Sequence, residues 1–207
     1  MKVETDLLVS VVMTTYNVEK YIEETLNSIF NQTYKNLEVI IIDDGSTDKT
    51  LEVISRFKKK NIIVEKKLHT GNIGKNLNDC IKKSNGEIIA IMGADDIWYP
   101  EKTDVQIGFL NEYNFVCSDK NIIDGNSKII SGGDNLKRNE LNLCTLLFRN
   151  EILASSLIGF KKNFIECGLF DEKVGNRSED YALWLKIAEK YPIKYVKSVL
   201  VGYRIHG

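Results

Sequence analysis

Basic residues are not in excess in this sequence. Its 207 residues include 28 Lys and Arg against 29 Asp and Glu, a formal net charge of −1. Proteins that bind nucleic acid through its phosphates usually carry a basic surface, so this balance argues against nucleic acid as a partner. Proline occurs only twice, and no repeat of solenoid length is present. Collagen-like, proline-rich disordered and repeat architectures are therefore excluded.

Clustered cysteines and long apolar runs are also missing. Cys80, Cys117, Cys144 and Cys167 each stand alone, without the close spacing of zinc or dithiol motifs. The longest apolar runs, such as Leu7–Met13, are too short to span a bilayer. No charged-then-apolar leader opens the sequence, so we expect a cytoplasmic protein with reduced, mostly structural cysteines.

Apolar segments rich in β-branched residues alternate with segments of helical periodicity in the first half. The predicted strands there are Leu7–Thr14, Leu37–Ile42, Asn61–Glu65 and Glu87–Met92. Such alternation is typical of βαβ units, which build a mainly parallel sheet with helices on both faces. The sequence therefore predicts an α/β fold.

The pattern is less regular after about residue 114. The predicted elements there are a strand at Phe115–Asp119, its antiparallel partner at Lys128–Ser131, a strand at Ser155–Lys161, a helix at Ser178–Tyr191 and a strand at Ile193–Val201. We expect a single domain over residues 1–207. An α/β half of the nucleotide-binding type spans about 1–113, and a smaller mixed half spans about 114–207.

Paired acids follow two of the predicted strands, as Asp43-Asp44 and Asp95-Asp96. Adjacent carboxylates raise each other's pKa unless a cation or hydrogen bonds stabilise the charged form. Each pair alone fits a solvated loop that caps the next helix. Two pairs at the carboxyl ends of one sheet, where α/β folds bind ligands, favour a site for a divalent metal and a nucleotide. No glycine-rich phosphate loop is present, so we expect the metal to hold the phosphates.

These motifs, taken in order, resemble the family-2 glycosyltransferases with the GT-A fold. The resemblance rests on Val11–Asn17, Val39–Asp48, Gly93–Trp98, Pro100–Lys102, Gly168–Glu172, Glu179–Leu185 and Tyr203–His206. It implies a GT-A-type sheet and an inverting enzyme that moves a sugar from a nucleoside-diphosphate sugar to an acceptor hydroxyl. The implied donor is a UDP-sugar, the acceptor is a glycan or a lipid-linked glycan, the product is a cell-surface polysaccharide or similar glycan, and the cofactor is Mn²⁺ or Mg²⁺.

The same resemblance implies roles for individual residues. Asp180 is the expected catalytic base, and the half over about 114–207 is expected to hold this base and the acceptor. The metal is expected at Asp95, Asp96 and His206. The nucleotide sugar is expected to contact Thr15, Tyr16, Asn17, Asp43, Asp44, Lys75, Asn78, Asp95, Glu179 and Arg204, with Thr15, Tyr16, Asp43 and Asp44 facing the base and ribose and Arg204 near the pyrophosphate.

Two positions depart from the family pattern. The loop after the third strand commonly ends in Ala-Arg-Asn, whereas this chain has Asn76-Leu77-Asn78, and Lys75 is our substitute for the missing arginine. Gly93 stands where the metal motif often has a further aspartate. These departures leave a catalytically inactive nucleotide-binding module as an alternative. A sugar-phosphate nucleotidyltransferase is a weaker one, because Met13–Asn17 lacks its glycine-rich basic signature.

Other residues near the motifs have structural interpretations. Trp98 and Trp184 are predicted to pack in the core, and His69 to be a solvated loop residue. The runs Lys58–Lys60 and Lys66–Lys67 are predicted to be solvated ends of elements. Their alternative role is attraction to an anionic membrane, which would place the protein peripherally at the inner face of the cell membrane.

Overall fold

The computed structural model describes residues 6–57, 61–175 and 178–206. The run Lys58–Lys60 lies outside the described residues. The strands are β1 (Val9–Thr15), β2 (Leu37–Asp43), β3 (Ile62–Lys66), β4 (Ile88–Ile91), β5 (Ile97–Trp98), β6 (Phe115–Ile123), β7 (Ile129–Ser131), β8 (Glu140–Leu141), β9 (Ile158–Phe160) and β10 (Ile193–Arg204). The helices are α1 (Ile22–Phe30), α2 (Thr50–Ser55), α3 (Ile73–Lys83), α4 (Lys102–Phe109), α5 (Leu143–Phe148), α6 (Lys161–Glu166) and α7 (Glu179–Lys190).

These strands join one sheet, in the main order β3-β2-β1-β4-β9-β6-β10-β5. The first four strands of the chain pair in parallel, as their alternation with helices predicts. β6 and β10 are also parallel, whereas β5, β7, β8 and β9 run antiparallel to their neighbours. The predicted α/β fold, with a parallel first half and a mixed second half, is confirmed. The sheet is continuous through both halves. Their predicted roles, nucleotide binding in the first half and the acceptor and catalytic base in the second, stay predictions.

Successive residues of the central strands enter two cores on opposite faces of the sheet. Val11 and Met13 of β1 pack with α1 and α2 on one face. Val12 packs with α3, α6 and α7 on the other face. Helices therefore cover both faces, as the continuous apolar runs of these strands predict. Trp98 and Trp184 are buried among these residues, which confirms their predicted place in the core.

Several elements of the second half differ from the prediction. The predicted strand Ser155–Lys161 begins as a 3-10 turn at Ala154–Ser156, and only Ile158–Phe160 pairs in the sheet. The six-residue helices α5 and α6 were not among the predicted elements. The antiparallel partner of β6 is confirmed as β7. No helix in the described part of the chain is both long and apolar enough to cross a bilayer.

The register of the parallel strands determines where their polar ends meet. Thr15 at the end of β1 lies opposite Asp43 at the end of β2. β4 runs along the other side of β1, with Ile91 opposite Val12. The residues that follow these strands therefore lie together at one edge of the sheet, where α/β folds bind their ligands.

Candidate functional site

A cavity of about 520 Å³ opens at this carboxyl edge. Of the residues predicted for the site, those that line it are Thr15, Tyr16, Asp44, Asp95, Glu179 and Asp180. They come from the ends of β1, β2 and β4 and from the first turn of α7. The other predicted residues, which are Asn17, Asp43, Lys75, Asn78, Asp96, Arg204 and His206, are not part of the cavity wall. Their contacts explain why.

Asp43 is fully buried behind the cavity wall. Its Oδ2 accepts hydrogen bonds from Thr15 Oγ1 at 2.9 Å and from Ser46 Oγ at 2.5 Å. Its Oδ1 accepts one from the Ser46 backbone N–H at 2.9 Å. Both carboxylate oxygens are thus engaged within the protein, where they hold the ends of β1 and β2 together. Asp43 therefore does not line the cavity, and its predicted contact with the base and ribose stays a prediction.

Asn17 connects the same two loops from the outside. Its backbone has a left-handed φ of 50°, a conformation that asparagine tolerates better than most residues. The side-chain Oδ1 accepts from the Thr47 backbone N–H at 2.9 Å, and the Asn17 N–H donates to Ser46 Oγ at 3.0 Å. Asn17 therefore shapes the loop and does not line the cavity, which differs from its predicted contact with the nucleotide sugar.

Asp44 fixes the loop that follows β3. Its carboxylate accepts hydrogen bonds from the Gly71 N–H at 2.8 Å and from Thr70 Oγ1 at 3.0 Å. Burial alone would raise the pKa of Asp44, but hydrogen bonds, including those from Asn76, Gly71 and Thr70, outweigh burial and lower it. Asp44 is therefore a carboxylate at neutral pH, and it forms an anionic acceptor in the wall of the cavity.

The loop approaches Asp44 closely because Gly45 has no side chain. Gly45 has a φ of 82°, and a Cβ built on it would lie 2.8 Å from the backbone N of His69. Any other residue would therefore be strained and would push away the loop that Asp44 binds.

Two aromatic rings stack at the rim of the cavity. The rings of Tyr16 and His69 lie 4.1 Å apart with an interplanar angle of 21°. His69 Nδ1 also lies 3.0 Å from Asp44 Oδ2. His69 is an exposed loop residue, as predicted, and it also lines the cavity. Such flat, partly exposed aromatic surfaces are suited to stacking on a nucleobase.

The first half of α3 contributes an apolar and an amide side chain to the cavity. Leu77, at the position of the usual family arginine, lines it and supplies no charge. Asn76 also lines it, is almost fully buried, and interacts through its side chain with the Asp44 carboxylate. The sequence prediction did not include Asn76. Its only sequence signal is an amide at the place where the family pattern has alanine.

Lys75 and Asn78, on either side of Asn76 and Leu77 in the sequence, do not line the cavity. Lys75 is exposed and outside the cavity wall, and its backbone N–H donates to the N-cap residue Asn72 at 2.9 Å. Asn78 is buried, and its amide exchanges two hydrogen bonds with the backbone of Phe170, at 2.9 and 3.0 Å. Asn78 thus joins α3 to the segment before α7. Neither residue is placed to contact a ligand in the cavity directly, in contrast to the expectation.

Asp96 is directed into the protein. Its Oδ1 accepts from the Arg204 N–H at 2.9 Å, and its Oδ2 accepts from Ser155 Oγ. Burial and the neighbouring charge of Asp95 raise the pKa of Asp96 to about 7. A Cβ on Gly93 would lie 2.9 Å from this carboxylate, so a larger residue there would displace it. With both oxygens accepting hydrogen bonds, Asp96 supports the loop, and its predicted role as a metal ligand stays a prediction.

Asp95 and His206 lie together at the cavity. Asp95 Oδ2 is 2.9 Å from His206 Nε2, and both side chains are about one third exposed. The His206 ring also packs against Tyr21, with centroids 4.5 Å apart. Two of the three residues predicted to hold a metal are therefore adjacent, although 111 positions separate them in the sequence.

Arg204 holds the Asp95-Asp96 turn from the interior of the protein. Its side chain is fully buried, and its Nε donates to the Asp95 carbonyl oxygen at 2.6 Å. The guanidinium also donates to the Asp124 carbonyl at 3.1 Å and forms an ion pair with Glu24 at 2.6 Å. Arg204 was expected near a pyrophosphate, but all of these contacts are internal. Its geometry is that of a positioning residue for Asp95.

Replacing Arg204 with lysine tests this arrangement. Lysine keeps the charge but lacks the planar fork, so it leaves some of the buried acceptors without donors. We expect Arg204→Lys to lower the free energy of unfolding by about 2 kcal/mol, measured by urea denaturation. Arg56→Lys, at a half-exposed arginine, is the matched control and is expected to change it by less than about 0.5 kcal/mol. Equal effects of the two substitutions would contradict the assigned role.

Two carboxylates enter the cavity from the start of α7. Burial, followed by the charge of Asp180, raises the pKa of Glu179, whose Oε2 has no hydrogen-bond partner in the described part of the chain. Burial also raises the pKa of Asp180, and its Oδ1 accepts from the Tyr181 N–H at 2.5 Å. A partly buried carboxylate of raised pKa is suited to accept a proton from a neutral hydroxyl.

The donor set allows a metal at Asp95 and His206 but does not enclose one. Within residues 6–57, 61–175 and 178–206, no group of three or more His, Cys, Asp or Glu side chains is placed to hold an ion. One carboxylate and one imidazole fit a divalent ion whose remaining ligands are water and ligand oxygens, as is usual for Mg²⁺ and Mn²⁺ bound with phosphates.

Comparison with known proteins identifies the family. The sequence profile described as glycosyl transferase family 2 matches residues 10–169. An uncharacterized glycosyltransferase of Rickettsia conorii is 36% identical over 97% of this chain, and the match spans 34% of that relative's length. The Escherichia coli UDP-Glc:α-D-GlcNAc-diphosphoundecaprenol β-1,3-glucosyltransferase WfaP is 34% identical over 97% of this chain and 78% of its own.

Solved structures show the same fold. The Staphylococcus aureus TarS 1–349 complex with UDP superposes with a TM-score of 0.82 at 24% identity, covering 96% of this chain and 61% of that one. The mannosyltransferase PcManGT from Pyrobaculum calidifontis, in complex with GDP-Man and Mn²⁺, gives 0.70 at 19% identity, covering 93% and 55%. These similarities confirm the GT-A-type fold. The profile match and the similarity to WfaP show that the chain belongs to glycosyl transferase family 2.

Proposed function

We propose that this protein transfers a sugar from a nucleoside-diphosphate sugar to an acceptor hydroxyl, with inversion at the anomeric carbon. The proposal rests on the fact that Tyr16, Asp44, Asp95 and Asp180 line one and the same cavity. It joins an aromatic rim, two acids at strand ends and a partly buried carboxylate of raised pKa. A donor nucleotide, a diphosphate and a general base each require one of these features.

The nucleotide end of the donor would lie against Tyr16, His69 and Asp44. Stacking on the Tyr16–His69 pair would hold the base, and the Asp44 carboxylate would accept a hydrogen bond from a base or ribose donor group. Uracil has a ring N–H that suits such an acceptor, which supports a UDP-sugar. The relatives WfaP and TarS are described with UDP-linked ligands, in agreement with this choice.

The diphosphate would lie at Asp95 and His206. Mn²⁺ or Mg²⁺ held there would neutralise the charge that develops on the departing nucleoside diphosphate. Arg204 holds the backbone of Asp95 and so fixes the position of this ligand. The presence of Mn²⁺ beside GDP-Man in the complex of PcManGT supports a divalent metal.

Asp180 would act on the acceptor. Its carboxylate would accept the proton of the attacking hydroxyl while the bond between the anomeric carbon and the diphosphate oxygen breaks. One base and one leaving group on opposite faces of the sugar give inversion in a single displacement. Finding the donor's anomeric configuration retained in the product would contradict this.

The acceptor we propose is a lipid-linked glycan at the inner face of the cell membrane, within cell-surface glycan synthesis. WfaP, by its name, acts on a diphosphoundecaprenol-linked sugar, and this chain matches most of its length. A cytoplasmic protein that docks peripherally would reach such an acceptor.

A thermal-shift panel of UDP, GDP, CDP and dTDP, each with and without Mn²⁺ or Mg²⁺, tests the donor and metal proposals. UDP with metal at about 100 times its Kd is expected to add about 2.7 kcal/mol of stability. Asp95→Ala should remove the metal-dependent part. Asp104→Ala, at a carboxylate on α4 outside the cavity, should leave it unchanged. Absence of any nucleotide-dependent shift would overturn the proposed function.

A catalytically inactive nucleotide-binding module is the second candidate. The observation that favours it is Leu77, which lines the cavity where the family pattern has arginine. Such a module would show the UDP-dependent thermal shift but would not hydrolyse or transfer the sugar of any UDP-sugar. Turnover of a UDP-sugar would exclude it.

A further inference from the structure

The most exposed aromatic side chain in the described part of the chain lies at the end of α5. Phe148 is 93% exposed and its neighbour Leu147 is 63% exposed, whereas Leu146 of the same helix is fully buried. Leu146 and the partly buried Leu143 pack this helix against the core. The fold therefore does not require apolar residues at 147 and 148, and adjacent exposed apolar side chains commonly mark a contact surface.

Two arginines lie near the end of α5, since Arg138 and Arg149 line a small surface pocket together with Phe148. Arg149 is 69% exposed while its partner Asp134, 3.8 Å away, is 25% exposed. Arg138 is 44% exposed while its partner Glu151, 3.6 Å away, is 9% exposed. In both ion pairs the arginine is the outer member, so the charge presented to an approaching surface is positive. Exposed Lys137 adds to it.

The position of α5 relates this surface to the site. The Tyr181 hydroxyl donates a hydrogen bond to the Leu146 carbonyl, and Tyr181 directly follows Asp180, which lines the cavity. The end of α5 is therefore attached to the start of α7. An acceptor approaching Asp180 along this side of the molecule would pass the exposed residues of α5.

We propose that Leu147, Phe148, Lys137, Arg138 and Arg149, together called the α5 tip, dock on an anionic phospholipid membrane. Apolar side chains inserted at the interface and cations beside the headgroups form the usual pair of signals for peripheral binding. This inference depends on the proposed function for one point only, which is the reason for binding a membrane: the lipid-linked acceptor is found there. It replaces the lysine runs as the predicted membrane contact. Of these, Lys67 is paired with Asp79 at 2.5 Å.

Vesicle flotation tests the docking surface. The full chain is expected to float with phosphatidylcholine vesicles that contain about one third phosphatidylglycerol, and not with pure phosphatidylcholine. Phe148→Ser is expected to weaken binding about tenfold. Arg149→Gln should weaken it about fivefold, and raising the salt concentration from about 0.1 to 0.5 M should reproduce that loss. Ile130→Ser, at an exposed apolar residue of β7, is the matched control and should bind like the wild type.

Labelling at Cys144 provides a second readout, which reports the surroundings of α5 in the bound protein. Cys144 is the exposed one of the four cysteines and lies on α5, and the other three are buried. An environment-sensitive fluorophore attached there should shift its emission to the blue when anionic vesicles are added. No shift, together with equal flotation of Phe148→Ser and the wild type, would overturn the inference.

Other outcomes are equally decisive. A chain that is dimeric by light scattering and becomes monomeric in Phe148→Ser would show that a second copy covers the α5 tip, which overturns membrane docking.

UDP-dependent thermal stabilisation, measured without vesicles, should be the same in Phe148→Ser and the wild type. UDP binding without vesicle binding would refute this inference and leave the proposed function intact, whereas the reverse would refute only the proposed function.

Discussion

Asp180→Asn is expected to reduce sugar transfer by about a thousandfold, which corresponds to about 4 kcal/mol of activation free energy. The amide has nearly the same shape as the carboxylate but cannot take the proton of the acceptor hydroxyl. The affinity for UDP should stay within about twofold of the wild type, because the proposed nucleotide contacts are at Tyr16, His69 and Asp44. The measurements are transfer of a radiolabelled sugar and titration calorimetry with UDP.

Glu189→Gln is a suitable control for Asp180→Asn. It makes the same change from carboxylate to amide, on the same helix, at an exposed residue outside the cavity. Its transfer rate should equal that of the wild type. A rate for Asp180→Asn within about tenfold of the wild type would remove Asp180 as the base.

The pH dependence of transfer gives a second test of Asp180. Burial raises the pKa of its carboxyl group above that of an ordinary aspartate. A base is active when deprotonated, so kcat/KM should fall as the pH falls through this raised pKa. The acid limb should therefore lie at a higher pH than an exposed aspartate would give. It should be absent from the residual activity of Asp180→Asn.

The edge of the sheet that carries the site could be predicted because its sequence signal is local. β1, β2 and β4 are mainly apolar, apart from Ser10 and Glu38, with polar residues at or just after their ends, and parallel strands bring such ends together. Helices between them were equally readable from their periodicity. The order of the second half was not, because β6, β9 and β10 pair across large separations in the sequence.

Within each acidic pair, the sequence does not show which of the two side chains faces the cavity. Asp43 and Asp96 are buried supports, while Asp44 and Asp95 line the cavity. Successive residues of a strand point to opposite faces, and Asp44 continues the face of Ile42. That alternation was available in the sequence. The face on which the cavity lies was not, since it depends on α3 and α7 packing there.

The supporting roles of Arg204 and Ser155 were not predicted, for a related reason. Arg204 reaches Glu24 across 180 positions, and Ser155 reaches Asp96 across 59. Neither contact has a sequence signal, because each depends on the order of strands in the completed sheet. The family resemblance drew attention to Arg204 and His206. It could not separate a residue that holds the loop from one that meets the ligand.

Lys102 allows a large effect on stability to be predicted away from the cavity. It is fully buried, its Nζ lies 2.7 Å from Gln106 Oε1 and 4.0 Å from the centroid of the Trp98 ring, and no carboxylate pairs with it in the described structure. Burial lowers the pKa of Lys102 to about 7, against a small opposing effect of Cys117. Lysine in an unfolded chain titrates near pH 10.4, so between about pH 7 and 10 unfolding takes up a proton. Lower pH therefore favours unfolding in this range.

Comparison with Lys102→Met isolates this contribution. The difference in unfolding free energy, wild type minus Lys102→Met, should rise by up to about 1.4 kcal/mol per pH unit, and by roughly 3.5 kcal/mol in total from about pH 7 to 10, because the slope is smaller near both ends of this range. Below about pH 7 it should be constant, because both states then hold the proton, and methionine should be the more stable residue there since it has no charge to desolvate. Urea denaturation at a series of pH values measures the difference. Lys82→Met, at a lysine whose side chain is 60% exposed, gives the baseline for removing a surface lysine. A difference that stays constant across the whole pH range would mean that Lys102 keeps its proton in the folded protein, with the Trp98 ring and Gln106 compensating for its burial.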